Sequence, residues 1–167
     1  MIKAIMAIDC MGGVGKSGTL PWPANKEDLR HFKNQTDGHI VVMGSKTWDD
    51  PCFPAPLKNR KNVVVTSKPL SYYPDADDCI GGDYAPLVQR LDENDENDER
   101  DVWIIGGPTI IKECSHLIQE LQLTVIDGDY DCDTFLDFPF EEFEQTLGWK
   151  STTGETNNEY RVYRRKI

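Results

Sequence analysis

Apolar residues fall in short continuous runs, separated by glycine, proline and charge. Residues 2–8 are almost wholly apolar and stop at Asp9, which predicts a buried strand. Similar runs at 39–43, 62–67 and 102–105 predict three more strands, and 121–127 a fifth. Between them the pattern is helical. Asn25 has the chemistry of an N-cap, with Asp28 three residues on, so a helix is expected to about Gln35, closed by Gly38. Shorter helices are expected at 45–50 and 83–91, and another begins at Pro108, because proline suits the first helical turn. The tail from 147 to 164 reads as two strands joined by a polar turn at 154–158. Buried strands alternating with helices predict an α/β fold: a mostly parallel central sheet flanked by helices, with a C-terminal antiparallel hairpin. At 167 residues, a single domain over 1–167 is expected.

In such sheets ligands bind beyond the carboxyl ends of the strands. Glycine-bearing connections follow the runs ending at Ile8, Met43 and Ile105. The segment 9–25 carries Gly12, Gly13, Gly15, Gly18, Pro21 and Pro23, which reads as a lid with glycine hinges. Gly15-Lys16-Ser17 imitates a phosphate loop, but Cys10 stands where its first glycine belongs, and Gly18 and Pro21 deny the helix that should follow. Ile105-Gly106-Gly107-Pro108 is either a tight structural turn or a place where backbone amides approach a pyrophosphate. Gly44-Ser45-Lys46-Thr47 and Thr66-Ser67-Lys68 also follow buried strands and offer hydroxyls and a lysine to anionic oxygens. Lys58, Arg60 and Lys61 form either a solvated patch or a carboxylate site with a bidentate arginine.

The helix after Asn25 holds the most informative carboxylate. At about 100° per residue, Phe32, Thr36 and Leu29 lie roughly 40°, 80° and 100° round to one side of Asp28, while Glu27, Arg30 and His31 point elsewhere. Asp28 is thus the one acid on the apolar stripe. Either it caps its own helix, or it grips a cationic or amidine-like ligand or manages a proton, with a raised pKa or a dedicated partner.

Composition narrows the classes. There are 18 basic and 29 acidic residues, a net charge of −11, which argues against bulk nucleic-acid binding. Residues 92–101 hold seven acids and one arginine and read as a solvated loop or a docking surface. The apolar runs are too short to cross a bilayer, and the first residues lack a signal-peptide core, so no membrane partner is expected. The five cysteines are odd in number and form no CxxC, which fits a reducing cytoplasm. The three histidines have no metal-ligand spacing, so no metal is expected.

Several ordered pieces together resemble the dihydrofolate reductase family over nearly the whole chain. They are Ala7; Gly15 with Leu20-Pro21-Trp22; Asp28-Leu29 with Phe32-Lys33; and Val42 through Trp48. Further on come Leu57 with Arg60-Lys61-Asn62; Ile105 through Pro108; Leu123-Thr124; and Asp133-Thr134-Phe135. The resemblance implies hydride transfer from NADPH to C6 of dihydrofolate, with protonation at N5. It assigns Asp28 to the active-site carboxylate, Thr124 to its hydroxyl partner, Trp22 to the lid tryptophan that positions a water, and Leu20 to the mobile lid. Glu27 sits one residue off, on the wrong helix face. Ile5, Phe32, Phe53, Leu57 and Ile105 would enclose the pterin and aminobenzoyl rings, and Arg60 with Lys33 would meet the glutamate.

For the cofactor, the resemblance implies that Ala7, Ile8, Val14, Gly15, Gly18 and Thr19 frame the nicotinamide. Gly107 through Ile111, including Pro108, Thr109 and Ile110, would cradle the pyrophosphate, with Ile105 and Gly106 also at the cofactor and a cis Gly106–Gly107 bond. Gly44, Ser45, Thr47, Thr66 and Thr134 would complete the site. Lys46, Ser67 and Lys68 would meet the 2′-phosphate. Three departures stand out: Ser45 and Thr109 replace common arginines, Ile111 replaces a common aromatic, and the loop 128–132 is altered. A monomer is expected. Two other classes compete: a related reductase acting on another pterin or a ribosylated pyrimidine, and a structural protein, such as a virion component, that keeps the fold for binding.

Overall fold

A computed structural model describes residues 1–93, 99–151 and 157–167. The chain begins with β1 (Ile2–Ile8), β2 (Gly13–Gly15), α1 (Lys26–Thr36), β3 (Ile40–Gly44) and α2 (Ser45–Asp49). It continues with β4 (Lys61–Val65), β5 (Asp78–Ile80), α3 (Ala85–Glu93), β6 (Val102–Gly106) and α4 (Pro108–Glu113). β7 (Glu120–Ile126), β8 (Thr134–Phe135), β9 (Phe143–Ser151) and β10 (Asn158–Arg165) complete it. Eight strands make one sheet in the order β5-β4-β3-β6-β1-β7-β10-β9, and β2 with β8 forms a separate two-stranded ribbon. Pairing is parallel from β5 to β7, and β10 runs antiparallel to both β7 and β9.

The strand alternation divides the core into two layers. Ala4, Val42, Val63 and Ile104 point to one face, where Val88 of α3 and Ile110, Ile111 and Cys114 cover them. Ile5, Val41, Met43, Val64, Trp103 and Ile105 point to the other, packed by Leu57 and partly buried Phe32, Trp48 and Phe53. A sheet covered on both faces explains why its strands read as continuous apolar runs. The second layer has fewer buried members, and Leu20 and Leu29 stay 53% and 56% exposed.

Some expectations shift. The helix expected at 83–91 forms over Ala85–Glu93, and β5 and the β2–β8 ribbon are additional elements. The tail strands start earlier than read, at Phe143, and the turn at 154–158 lies largely outside the described residues. Residues 94–98 of the acidic run also lie outside them. Two flanking acids have structural partners: Asp101 pairs with Lys3 at 3.0 Å, and Asp92 with the Met1 amine at 2.5 Å.

Candidate active site

The start of α1 is built from amides. Asn25 Oδ1 accepts the Asp28 N–H at 3.2 Å, which caps the helix. Asn25 and Asn158 of β10 donate to each other's side-chain carbonyls at 2.7 and 3.0 Å. Both are buried. The first turn of α1 is therefore fixed against the last strand.

Asp28 projects from that turn toward β7, where Thr124 Oγ1 donates to its Oδ1 at 2.7 Å. The Asn25 side chain supplies the cap, and the Asp28 carboxylate serves a partner across the cleft. Burial pushes the Asp28 carboxyl above its ordinary range; the Thr124 bond opposes this, and the neighbouring Glu27 charge adds to it. Glu27 itself turns to β10 and accepts from the Tyr160 hydroxyl at 3.3 Å.

One wall beside Asp28 is apolar, with Ile5, Leu57, Ile105, Phe32 and Phe53 in a single cluster. At its end, Arg60 donates through Nη1 to Thr36 Oγ1 at 3.1 Å and through Nε to the Lys58 carbonyl at 2.9 Å. Its guanidinium lies 5.9 Å from the Phe32 ring centroid. Arg60 is thus drawn from the basic cluster toward α1. Lys33 is exposed on the last turn of the same helix.

Buried Asn62 pins this wall: its Oδ1 accepts the Leu57 N–H, and its Nδ2 donates to the Leu57 and Arg60 carbonyls, all at 2.9 Å. Asn62→Ala strands these groups, so we expect a loss of about 2–4 kcal/mol in unfolding free energy and a raised KM for the ligand of this wall. Denaturant melts and steady-state kinetics check both effects, and unchanged values would remove the role.

On the other side of the sheet ends, Ala7 and Ile8 close β1, while Gly44 leads into Ser45, Lys46 and Thr47 of α2. Thr66, Ser67 and Lys68 follow β4, and the Thr66 hydroxyl accepts the Lys68 N–H at 3.2 Å. The Gly106–Gly107 peptide is cis. A Cβ on Gly106 would come 3.3 Å from Thr47 Oγ1, and one on Gly44 would come 3.0 Å from the Ile110 side chain. A Cβ on Gly107 would meet nothing within 4 Å. Backbone here is bare and open at the mouth of α4, the form that a close-approaching diphosphate requires. Ile110 and Ile111 send their side chains into the core, so what they can offer the cleft is backbone. Thr109 is exposed.

The lid lies across these strand ends. Val14 is buried, Gly15 pairs with Thr134, and Gly18 sits at φ +80° in the turn where Lys16 and Thr19 exchange backbone hydrogen bonds. Asp133 holds the lid from the altered loop's far end, accepting the Ser17 N–H at 2.9 Å and donating its own N–H to Gly15 at 3.0 Å. Trp22 is buried, with its ring edge-on to Tyr130 at 6.0 Å.

Among the described residues no three His, Cys, Asp or Glu side chains converge as metal ligands, and no helix is long and apolar enough to cross a membrane. Sequence reading gives no role to Asp9, Tyr130 or the Asn25–Asn158 pair, because they meet partners distant in the chain, nor to Asn62, whose nearby backbone partners carry no sequence signal. Weak signals exist in hindsight, in an acid ending an apolar strand and an asparagine inside another.

A family model described as dihydrofolate reductase matches residues 1–166. The chain is 33% identical over 148 residues to a type 8 dihydrofolate reductase of Escherichia coli, covering 86% of each. It is 29% identical over 157 residues to the dihydrofolate reductase of Staphylococcus aureus, covering 93% of this chain and 91% of that one. A solved dihydrofolate reductase from Enterococcus faecalis, complexed with NADP(H) and RAB-propyl, matches with a TM-score of 0.85 at 27% identity, over 100% of this chain and 97% of that one. A half-buried acid paired with a threonine beside an apolar wall, glycine-rich strand ends opposite it, and full-length likeness in sequence and fold lead to one conclusion: the chain belongs to the dihydrofolate reductase family.

Proposed function

We propose that the Asp28–Thr124 pair organises the family's reaction, the NADPH-dependent reduction of 7,8-dihydrofolate, and that the residues around it divide the work as follows. The observation that carries this reading is the half-buried carboxylate with a raised pKa, hydrogen-bonded at 2.7 Å to one threonine. Asp28 binds the pterin's amino group and ring nitrogen, and its charge favours proton delivery through water to N5. Thr124 fixes the orientation of that carboxylate. Trp22 closes the pocket and positions the water, and Leu20 moves with the lid. Ile5, Phe32, Phe53, Leu57 and Ile105 hold the rings by apolar contact. Arg60, braced on Thr36, meets the glutamate carboxylate, with Lys33 nearby.

NADPH, when bound, supplies the hydride. Ala7, Ile8, Val14, Gly15, Gly18 and Thr19 would frame its nicotinamide, and Gly106 to Ile111 its pyrophosphate through backbone amides. Lys46, Ser67 and Lys68 would read the 2′-phosphate, with Gly44, Ser45, Thr47, Thr66 and Thr134 lining the groove. A monomer in a reducing cytoplasm completes the reading.

NADPH consumption should start on adding 7,8-dihydrofolate and be much weaker with a dihydropterin lacking the aminobenzoyl-glutamate. Equal turnover of the two would remove the role of Arg60 and its wall, and none with dihydrofolate would overturn the reading.

A further inference from the structure

Asp9, at the end of β1, is 1% exposed yet lies outside the roles above. Its Oδ1 accepts the N–H groups of Met11 at 2.9 Å and Gly13 at 2.8 Å. Its Oδ2 accepts the Tyr130 N–H at 3.1 Å and the Cys132 thiol at 3.4 Å. One carboxylate thus holds two loops, the root of the lid and the segment 128–132, through N–H and S–H donors. Burial pushes its pKa up, but the bonds from Tyr130, Gly13, Met11 and Cys132 outweigh this and hold it below the ordinary range. The backbones interlock as well, since Cys10 donates to the Gly128 carbonyl at 3.0 Å.

Tyr130 is the piece that reaches Trp22. Its N–H is held by Asp9, and its hydroxyl donates to the Asp127 carbonyl at 3.3 Å. Its ring lies against Gly128, where an added Cβ would fall 3.2 Å from it. The ring's free side meets Trp22 edge-on, with centroids 6.0 Å apart and planes at 71°. Trp22 sits between Pro21 and Pro23, where the ring contact restrains its swing.

We propose that Asp9 and Tyr130 are positioning residues for Trp22: the buried carboxylate locks the altered loop, and the locked tyrosine ring sets the tryptophan's angle over the substrate. The inference rests on the reading of Trp22 given above. Its atoms split the test. In Asp9→Asn the carbonyl keeps the Met11 and Gly13 bonds, while the new NH2 faces the Tyr130 N–H, donor against donor. Tyr130→Ala removes the ring alone, and Tyr130→Phe keeps it.

The experiment measures single-turnover hydride transfer and the 19F spectrum of enzyme carrying 5-fluorotryptophan, whose four lines are assigned with Trp22→Phe. Misplacing a positioning group commonly costs up to ~100-fold, so Asp9→Asn and Tyr130→Ala should each slow hydride transfer about tenfold, with KM for dihydrofolate moving under about threefold. Both should displace the Trp22 line, and Tyr130→Phe should do neither. In a Trp22→Phe background, Tyr130→Ala should cost nothing further. A slow Trp22→Phe enzyme in which Tyr130→Ala adds its full loss would overturn this inference and leave the role of Trp22 standing. A Trp22→Phe enzyme of normal rate would overturn both. An unmoved Trp22 line in Asp9→Asn would also overturn it.

Discussion

Asp28→Asn is expected to lose turnover and gain thermal stability in the same step. Removing a proton-managing group costs roughly 10²–10⁴-fold in rate, and turnover at neutral pH should fall within that range. The stability change has the opposite sense. Burial raises the Asp28 pKa in the native state above its value in the unfolded chain. Ionisation therefore favours unfolding: the penalty is absent below the ordinary carboxylate range and develops as pH rises through the raised native value. Asparagine cannot ionise, and its carbonyl still accepts from Thr124. The variant should melt above the parent at pH ~7, and the two curves should converge below pH ~4. Melting temperature against pH, beside kcat for dihydrofolate, tests both halves. Turnover within tenfold of the parent would remove the catalytic role, and a lower melting point at neutral pH would contradict the burial argument.

The second large effect concerns cofactor choice. Ser45 and Thr109 bring no charge to the strand ends, so on the proposed reading discrimination would fall on Lys46 and Lys68. Lys46 is exposed on the short helix α2, and the Lys68 ammonium lies 4.0 Å above the Tyr72 ring. Charged hydrogen bonds contribute about 1.5–3 kcal/mol each, so losing both should lower kcat/KM for NADPH roughly a hundredfold or more. Lys46→Gln with Lys68→Gln keeps chain length and removes charge. The double variant should use NADH about as well as the parent does, and the parent's preference should weaken with salt. Equal losses with NADPH and NADH would show that the lysines support the fold and do not read the phosphate.

Much of the sheet is written locally. Val41-Val42-Met43 and Val102 through Ile105 are buried on both faces, so their runs are continuous and easily seen. β5 has three residues with one buried, and β8 has two exposed ones, so neither leaves a period to read. The helical wheel places Leu29 with Asp28, yet Leu29 is 56% exposed. An apolar stripe does not say whether it faces a core or a ligand, and α1 serves the cleft. Asp28 was legible as an acid on the wrong-looking face. Asp9 was not, because its second oxygen is satisfied 121 and 123 residues later.

The Asn25–Asn158 amide pair orders events in time. Asp28 leaves the ribosome well before its threonine partner, which follows 96 residues later, and the asparagine that braces its helix is 133 residues behind Asn25. At about 5–20 residues per second, many seconds separate the acid from its surroundings. A nascent chain stalled before β10 holds α1 without this brace. Activity is therefore expected to arrive only once β10 adds to the sheet: a chain that stops short of it carries the acid on a helix that lacks its brace.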